Sequence, residues 1–237
     1  MAGYFPPCGT PSCVWNEFSF NPVYRTPTPA YYQTVRYHRD GFAPFGSFAY
    51  YKMWYDYSSS GGVAFAASPD GINWSFQADT TGLIATARHS RVLFDPAGFG
   101  IGAPYRIWYW DSAMLYVDDP VILRMLRTAV SVDGVNWTHD ETLAQNTAAP
   151  LLEPFPAYNR GSYGPVDVLY FSGNPPVLDL IDPFNNRYVM YYDITDGSTE
   201  EIALAVSVDG AADPAGVAAV DAQPLFTAPK HPPTPND

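Results

Sequence analysis

Charge is scarce in this chain of 237 residues, and what there is leans one way: 15% of residues are charged, with 12 basic against 24 acidic side chains and a formal charge of −12. A field of that sign repels polyphosphate, so nucleic acid is not an expected partner. No uninterrupted apolar run approaches the roughly 18 residues of a membrane-spanning helix, and no membrane insertion is expected. The start, Met1 to Pro7, has neither the basic nor the apolar region of a secretory signal, although a mature secreted chain with an added initiator Met fits such a beginning. Cysteine is nearly absent. The two present, Cys8 and Cys13 in CGTPSC, either close a small disulfide loop or stand as unrelated thiols, and two sulfurs alone are too few for a metal site.

What the chain has in quantity is apolar and aromatic. Hydrophobic residues make up 47% and aromatics 16%, interrupted by 24 Pro and 18 Gly. Such a chain can bury a sizeable core, and its mix of Tyr, Phe, Trp and Val with turn-forming residues favours many short strands over a helical bundle.

A repeat organises these strands. Its clearest copies are Ser68-Pro69-Asp70-Gly71-Ile72-Asn73-Trp74, Ser131-Val132-Asp133-Gly134-Val135-Asn136-Trp137 and the shortened Ser207-Val208-Asp209-Gly210. Each follows a run of small apolar residues, at 63–67, 126–130 and 202–206. Upstream of each lies an aromatic strand, YKMWYD from Tyr51, YRIWYWD from Tyr105 and YVMYYD from Tyr188. Further upstream comes a third matching element, 32–37, 89–94 and 165–170. In the turn, Asp accepts hydrogen bonds from nearby amides, Gly takes a positive φ, and the following Trp is expected to pack on an adjacent sheet. Asp56, Asp111 and Asp193 close the aromatic strands, and an acid that recurs in every repeat has a structural job. Trp54 and Trp108 read as core.

The three turns are 63 and 76 residues apart, which suits four-stranded antiparallel sheets with variable loops. The fold class is therefore all-β, a β-propeller of antiparallel blades, because one such sheet has two apolar faces and needs neighbours to cover both. Helical spacing at Ile122, Met125, Leu126 and Ala129 is overruled by the repeat, which places 126–131 in a strand. Expected boundaries are an N-terminal segment over 1–20, blades over 21–80, 81–148 and 149–215, a partial lead-in over 216–228 and a disordered tail over 229–237. Three blades do not close a ring. Either sequence is missing, another chain completes the ring by association, or Cys13 to Phe20 and the C-terminal segment supply a degenerate fourth blade.

The blocks YKMWYD with AASPDGINW, and YRIWYWD with AVSVDGVNW, resemble blades of the five-bladed β-propeller glycoside hydrolase superfamily, which includes arabinanases, β-xylosidases and invertases. The resemblance covers roughly Asn21 to Gly210, and it implies a ring of five blades of which about three are clear. It implies a central funnel into which carboxylates project from the starts of the innermost strands, one acting as proton donor and another as base or nucleophile. Aligning the blades makes Thr34, Arg91 and Asp167 equivalent, with Tyr32, His89 and Pro165 two positions earlier. Asp167 is the candidate catalytic acid or base. The first-blade acid is not found: the lead-in reads Asn21-Pro22. His89 and Arg91, two apart and so expected on one face, are candidate substrate-binding residues together with Thr34 and with Tyr32 and Tyr163, the two tyrosine rings suiting stacking on sugars. Tyr31 and Tyr158 are further candidates for such stacking.

Two functions follow. The first is a carbohydrate-active, glycoside-hydrolase-like propeller that grips, or grips and cleaves, an oligo- or polysaccharide, extracellular or at the cell surface. The second is a non-catalytic propeller serving as a surface binding or assembly module. Neither calls for a cofactor or a transition metal, and a structural calcium at the axis is the one ion left open.

Overall fold

The computed structural model describes residues 23–26, 29–42, 49–57, 62–83, 85–111, 125–139, 164–171, 188–195, 200–207, 217–219 and 226–227. The Cys8 and Cys13 pair, Tyr158, Tyr163, the third Asp-Gly turn and the tail lie outside these residues. Within them the chain forms three antiparallel sheets. The first orders β1 (Tyr31–Tyr37), β2 (Tyr51–Asp56), β3 (Val63–Ser68) and β4 (Ser75–Asp79) side by side. The second orders β5 (Ala87–Phe94), β6 (Tyr105–Asp111), β7 (Met125–Ser131) and β8 (Thr138–His139). The third orders β9 (Gly164–Tyr170), β10 (Tyr188–Thr195), β11 (Glu200–Ser207) and β12 (Val217–Ala219), and β13 (Phe226–Thr227) also pairs with β11. Of the segment with helical spacing, the described part, from Met125 on, lies in strand β7.

These are β-propeller blades, and among the described residues the sheets form an open arc. Their first strands, β1, β5 and β9, lie next to one another in that order. β2 and β3 are buried almost throughout rather than on alternate residues, because both faces of the blade are covered. Alanines at 64, 66 and 67 in β3 let the neighbouring layers approach closely.

The Asp-Gly turns explain why the motif repeats. Asp70 Oδ1 accepts the amides of Ile72 and Asn73 at 2.8 and 2.7 Å, while Ser68 Oγ accepts that of Gly71 at 2.9 Å. Asp133 and Ser131 reproduce the same bonds around Gly134. Gly71 and Gly134 stand at φ +77° and +81°, where a Cβ is strained. The Trp after the turn behaves differently in the two copies. Trp74 folds back on its own blade, its indole N–H donating to Gly71 O at 2.9 Å, contrary to the expected packing on an adjacent sheet. Trp137 is buried in the core cluster shared by the first two blades.

Blades join by a repeated device. The β1–β2 loop drops Phe42 between Phe94 and Tyr105 of the second blade, with ring centroids 4.8 and 6.2 Å away. The β5–β6 loop sets Phe99 against Tyr170 and Tyr188 of the third, at 4.9 and 6.3 Å. Each buried phenylalanine of this kind stabilises the fold by about 1.5–3 kcal/mol through the water it sheds. A buried cation sits on the second strand at each junction. The Lys52 ammonium lies 5.0 Å from the Phe42 ring centre and 4.7 Å from that of Tyr105, and the Arg106 guanidinium lies 5.2 Å from that of Tyr188.

Candidate functional site at the first strands

The first strands have no backbone ladder between them, so side chains satisfy their carbonyls. Thr34, Arg91 and Asp167 occupy one register position, opposite Trp54, Trp108 and Tyr191 respectively. Thr34 Oγ1 donates to Ser90 O at 2.8 Å, and Arg91 Nε donates to Val166 O at 2.6 Å. Both acceptors immediately precede the equivalent residue of the following blade. Arg36 adds a rung, its Nε donating to Val92 O at 2.5 Å. Thr34 is buried by this arrangement, Arg91 is half-buried and Asp167 is exposed. The Asp167 carboxylate accepts the amide of Val168 at 2.9 Å and acts electrostatically on Arg36, whose guanidinium burial and the nearby Arg91 push below its ordinary pKa.

Each first strand carries a bulge just before this position. Between Tyr31 and Thr34, and between Arg88 and Arg91, three steps on the first strand face two on its partner; between Pro165 and Asp167, two face one. In the first two blades the residue two before the shared position takes a left-handed backbone: Tyr32 and His89 both stand at φ +52°. Non-glycine residues rarely adopt it, and holding one there costs of order 1–3 kcal/mol, which surrounding structure must offset. Pro165, with φ locked negative, cannot follow them.

The bulges interrupt the alternation expected to put His89 and Arg91 on one face. Arg91 reaches to the third blade, whereas His89 stacks on Tyr32 of the first, with ring centroids 3.6 Å apart. Trp110, buried, meets the His89 ring edge to face at 4.7 Å, and Tyr31 lies 6.3 Å from Tyr32. Tyr31 and Tyr32 are 46% and 45% exposed, which leaves flat rings open at the N-terminal end of the first strands. Arg91 also reaches toward this corner, donating to Tyr32 O at 3.5 Å.

Asp56, at the end of β2, underlies this rim. Its side chain is 1% exposed, and Oδ2 accepts the His89 amide at 2.8 Å. Burial pushes its carboxyl up to about 7, against the opposing pull of the His89 and Ser90 amides and of Arg88 and Arg91. The recurrence of this acid marked it as structural. That it would face the bulge of the next blade had no sequence signal, and neither did the backing role of Trp110, which takes the register place that Asp56 and Asp193 hold in the other two blades. Among the described residues, no group of three or more His, Cys, Asp or Glu is placed to hold a metal, and no helix is long and apolar enough to cross a membrane.

No protein-family profile matches the chain, and no curated protein matches it. Among solved structures it is similar to fructan 1-exohydrolase IIa from Cichorium intybus, at 13% identity and a TM-score of 0.49, over 75% of this chain and 30% of that one. It is also similar to an exo-inulinase from Aspergillus awamori, at 15% identity and a TM-score of 0.45, over 67% and 33%. A glycosyl hydrolase from Bacteroides ovatus gives 14% and 0.43, over 77% and 47%. The chain spans less than half the length of each.

Proposed function

We propose that the chain is a carbohydrate-active β-propeller that binds an oligo- or polysaccharide at the rim formed by Tyr31, Tyr32 and His89, in an extracellular or cell-surface setting. The observation that carries this reading is the half-exposed Tyr32 ring, held in a strained backbone conformation and braced from behind by His89. A rigid ring face of that kind suits the C–H face of a sugar, and strain kept at one exposed spot is a mark of function. Arg91 and the exposed Asp167 supply donors and acceptors for hydroxyl groups nearby. Tyr163 joins this set from the sequence pattern, and Thr34, buried with its hydroxyl on Ser90 O, supports the rim from beneath.

Hydrolysis needs two carboxyl groups flanking the bond to be cut. Asp167 is the candidate acid or base, and the residues in its register, Thr34 and Arg91, are not acids. Binding is thus better supported than cleavage. A glycan array is expected to capture a defined saccharide, with Tyr32→Ala weakening it roughly tenfold, the loss of about 1.4 kcal/mol of ring contact. Aryl glycosides test turnover: activity that Asp167→Asn abolishes establishes the hydrolase, and its absence leaves a binding protein.

The engagement of Thr34 and Arg91 with neighbouring carbonyls favours a second reading, a non-catalytic surface or assembly module. An array that captures nothing, together with light scattering that shows concentration-dependent association, decides for it.

A further inference from the structure

Strain at Tyr32 and His89 raises the question of what holds it. The two rings brace each other, but neither fixes the backbone beneath. On β5 that backbone meets a buried acid from the first blade: Asp56 Oδ2 takes the His89 amide at 2.8 Å, and Ser90 presents its amide to the same carboxyl. The other oxygen, Oδ1, is buried with no hydrogen-bond partner, as are Arg88 Nε and Ser90 Oγ on the same short stretch of β5. A core does not leave a carboxyl oxygen unpaired without a reason, because the solvation it loses is then not replaced. A simple staple between blades would be served by a neutral amide at lower cost. The residue in place is an acid with one oxygen committed to the bulge and one held in reserve.

We infer that Asp56 is the positioning residue of the rim: its buried carboxyl, reaching across from the first blade, fixes the β5 bulge so that His89 is presented to Tyr32, and its protonation state sets how tightly. The charged groups that face it are Arg88 and Arg91 on β5, with His89 above. When Asp56 is ionised, two backbone amides and both guanidiniums draw β5 against it. Burial outweighs that attraction and raises the carboxyl's pKa, so the packed rim is favoured while Asp56 is protonated and loosens as it ionises. Burial places this change at about pH 7 rather than in the ordinary carboxyl range. The consequence for a ligand rests on the reading of the rim as a saccharide surface. The bulge itself is read without any ligand, so either idea can fail alone.

The test is NMR on the full chain, following the amides of residues 89 and 90 and the ring protons of Tyr32. In His89→Gln, which removes the imidazole's own titration, both amides are expected to shift together with a midpoint near pH 7, and Asp56→Asn added to that background is expected to remove the shift. With His89 intact, Asp56→Asn keeps the ring-current shift of the Tyr32 protons, since its carbonyl still accepts the His89 amide, while Asp56→Ala loses it. Amides that do not move between pH 5.5 and 8.5, or a Tyr32 ring-current shift that survives Asp56→Ala in a folded protein, would overturn the inference. Should Asp56→Ala not fold, the paired titrations of His89→Gln with and without Asp56→Asn decide alone.

Discussion

The junction between the first and second blades and that between the second and third are built to one plan with different parts. Each has a phenylalanine from a loop wedged against two aromatic rings of the next blade, a buried cation on the second strand, and a side chain on the first strand bonded to a carbonyl one residue before the equivalent position. The parts differ where they meet the turn. Lys52 reaches into the second blade and donates to Tyr105 Oη at 2.8 Å and to Asp133 O at 3.1 Å, and Trp54 Nε1 donates to Gly134 O at 2.6 Å. Arg106 lies over the Tyr188 ring of the third blade. The plan therefore tolerates either cation, but only one of them can lose its proton near neutrality. Burial lowers Lys52 to about 7, against the pull of Asp133, whereas a guanidinium stays charged.

The largest effect is expected at a feature of the first junction. Thr81 and Asn136 form a parallel bridge between the first two blades, with Thr81 N–H on Val135 O and Trp137 N–H on Thr81 O, each at 2.9 Å. Gly82 follows at φ +80°, and a Cβ there would overlap the Trp137 carbonyl. Gly82→Ala combines an unfavourable backbone with a clash against main chain, and a loss of roughly 3 kcal/mol or more is expected in urea unfolding. An unchanged midpoint would show that the bridge does not hold the junction.

Next comes the cation. A lysine whose folded pKa lies below its unfolded value binds fewer protons in the native state, so its contribution to stability rises with pH from about 7 toward 10.5 and is lost as pH falls toward 7. The size is on the order of a few kcal/mol across the full window. Lys52→Met is expected to flatten that slope. Arg106→Lys is expected to create one at the second junction, which would make the two alike. Asp56 runs the other way: its raised pKa favours the fold at low pH and loses that advantage as pH climbs from about 4 to 7. Unfolding midpoints measured at intervals of pH separate the two groups.

The smallest effect is at the first strands. Thr34→Val keeps the shape and removes the bond to Ser90 O, leaving a buried carbonyl short of a donor, and about 1 kcal/mol should be lost. A change that also alters the Tyr32 ring environment would show that the rung and the rim are coupled.

Much of this was legible in the residues. The equivalence of Thr34, Arg91 and Asp167 followed from lining up Val35, Val92 and Val168, and the strands place all three in one register. The Asp-Gly turns could be read because a turn's chemistry is local: the Ser, Asp and Gly that make it are neighbours in sequence. The bulges could not. A bulge exists only relative to the strand it pairs with, and Tyr32 and His89 carry no glycine to announce a positive φ. The burial of Lys52 was equally hidden, since a lysine in an aromatic strand reads as a solvated edge until Phe42 and Tyr105 arrive from 10 and 53 residues away.

The rungs between first strands give the arc a head and a tail. At each junction the shortest of these bonds run forward, from Thr34 to Ser90 O and from Arg91 to Val166 O, while Arg91 also reaches back to Tyr32 O at 3.5 Å. Asp167 breaks that grammar, because an ionised carboxylate has no hydrogen to give. A strand laid beside β9 would meet an acceptor at this position where the other two blades present donors, so the two flanks of this arc are not alike.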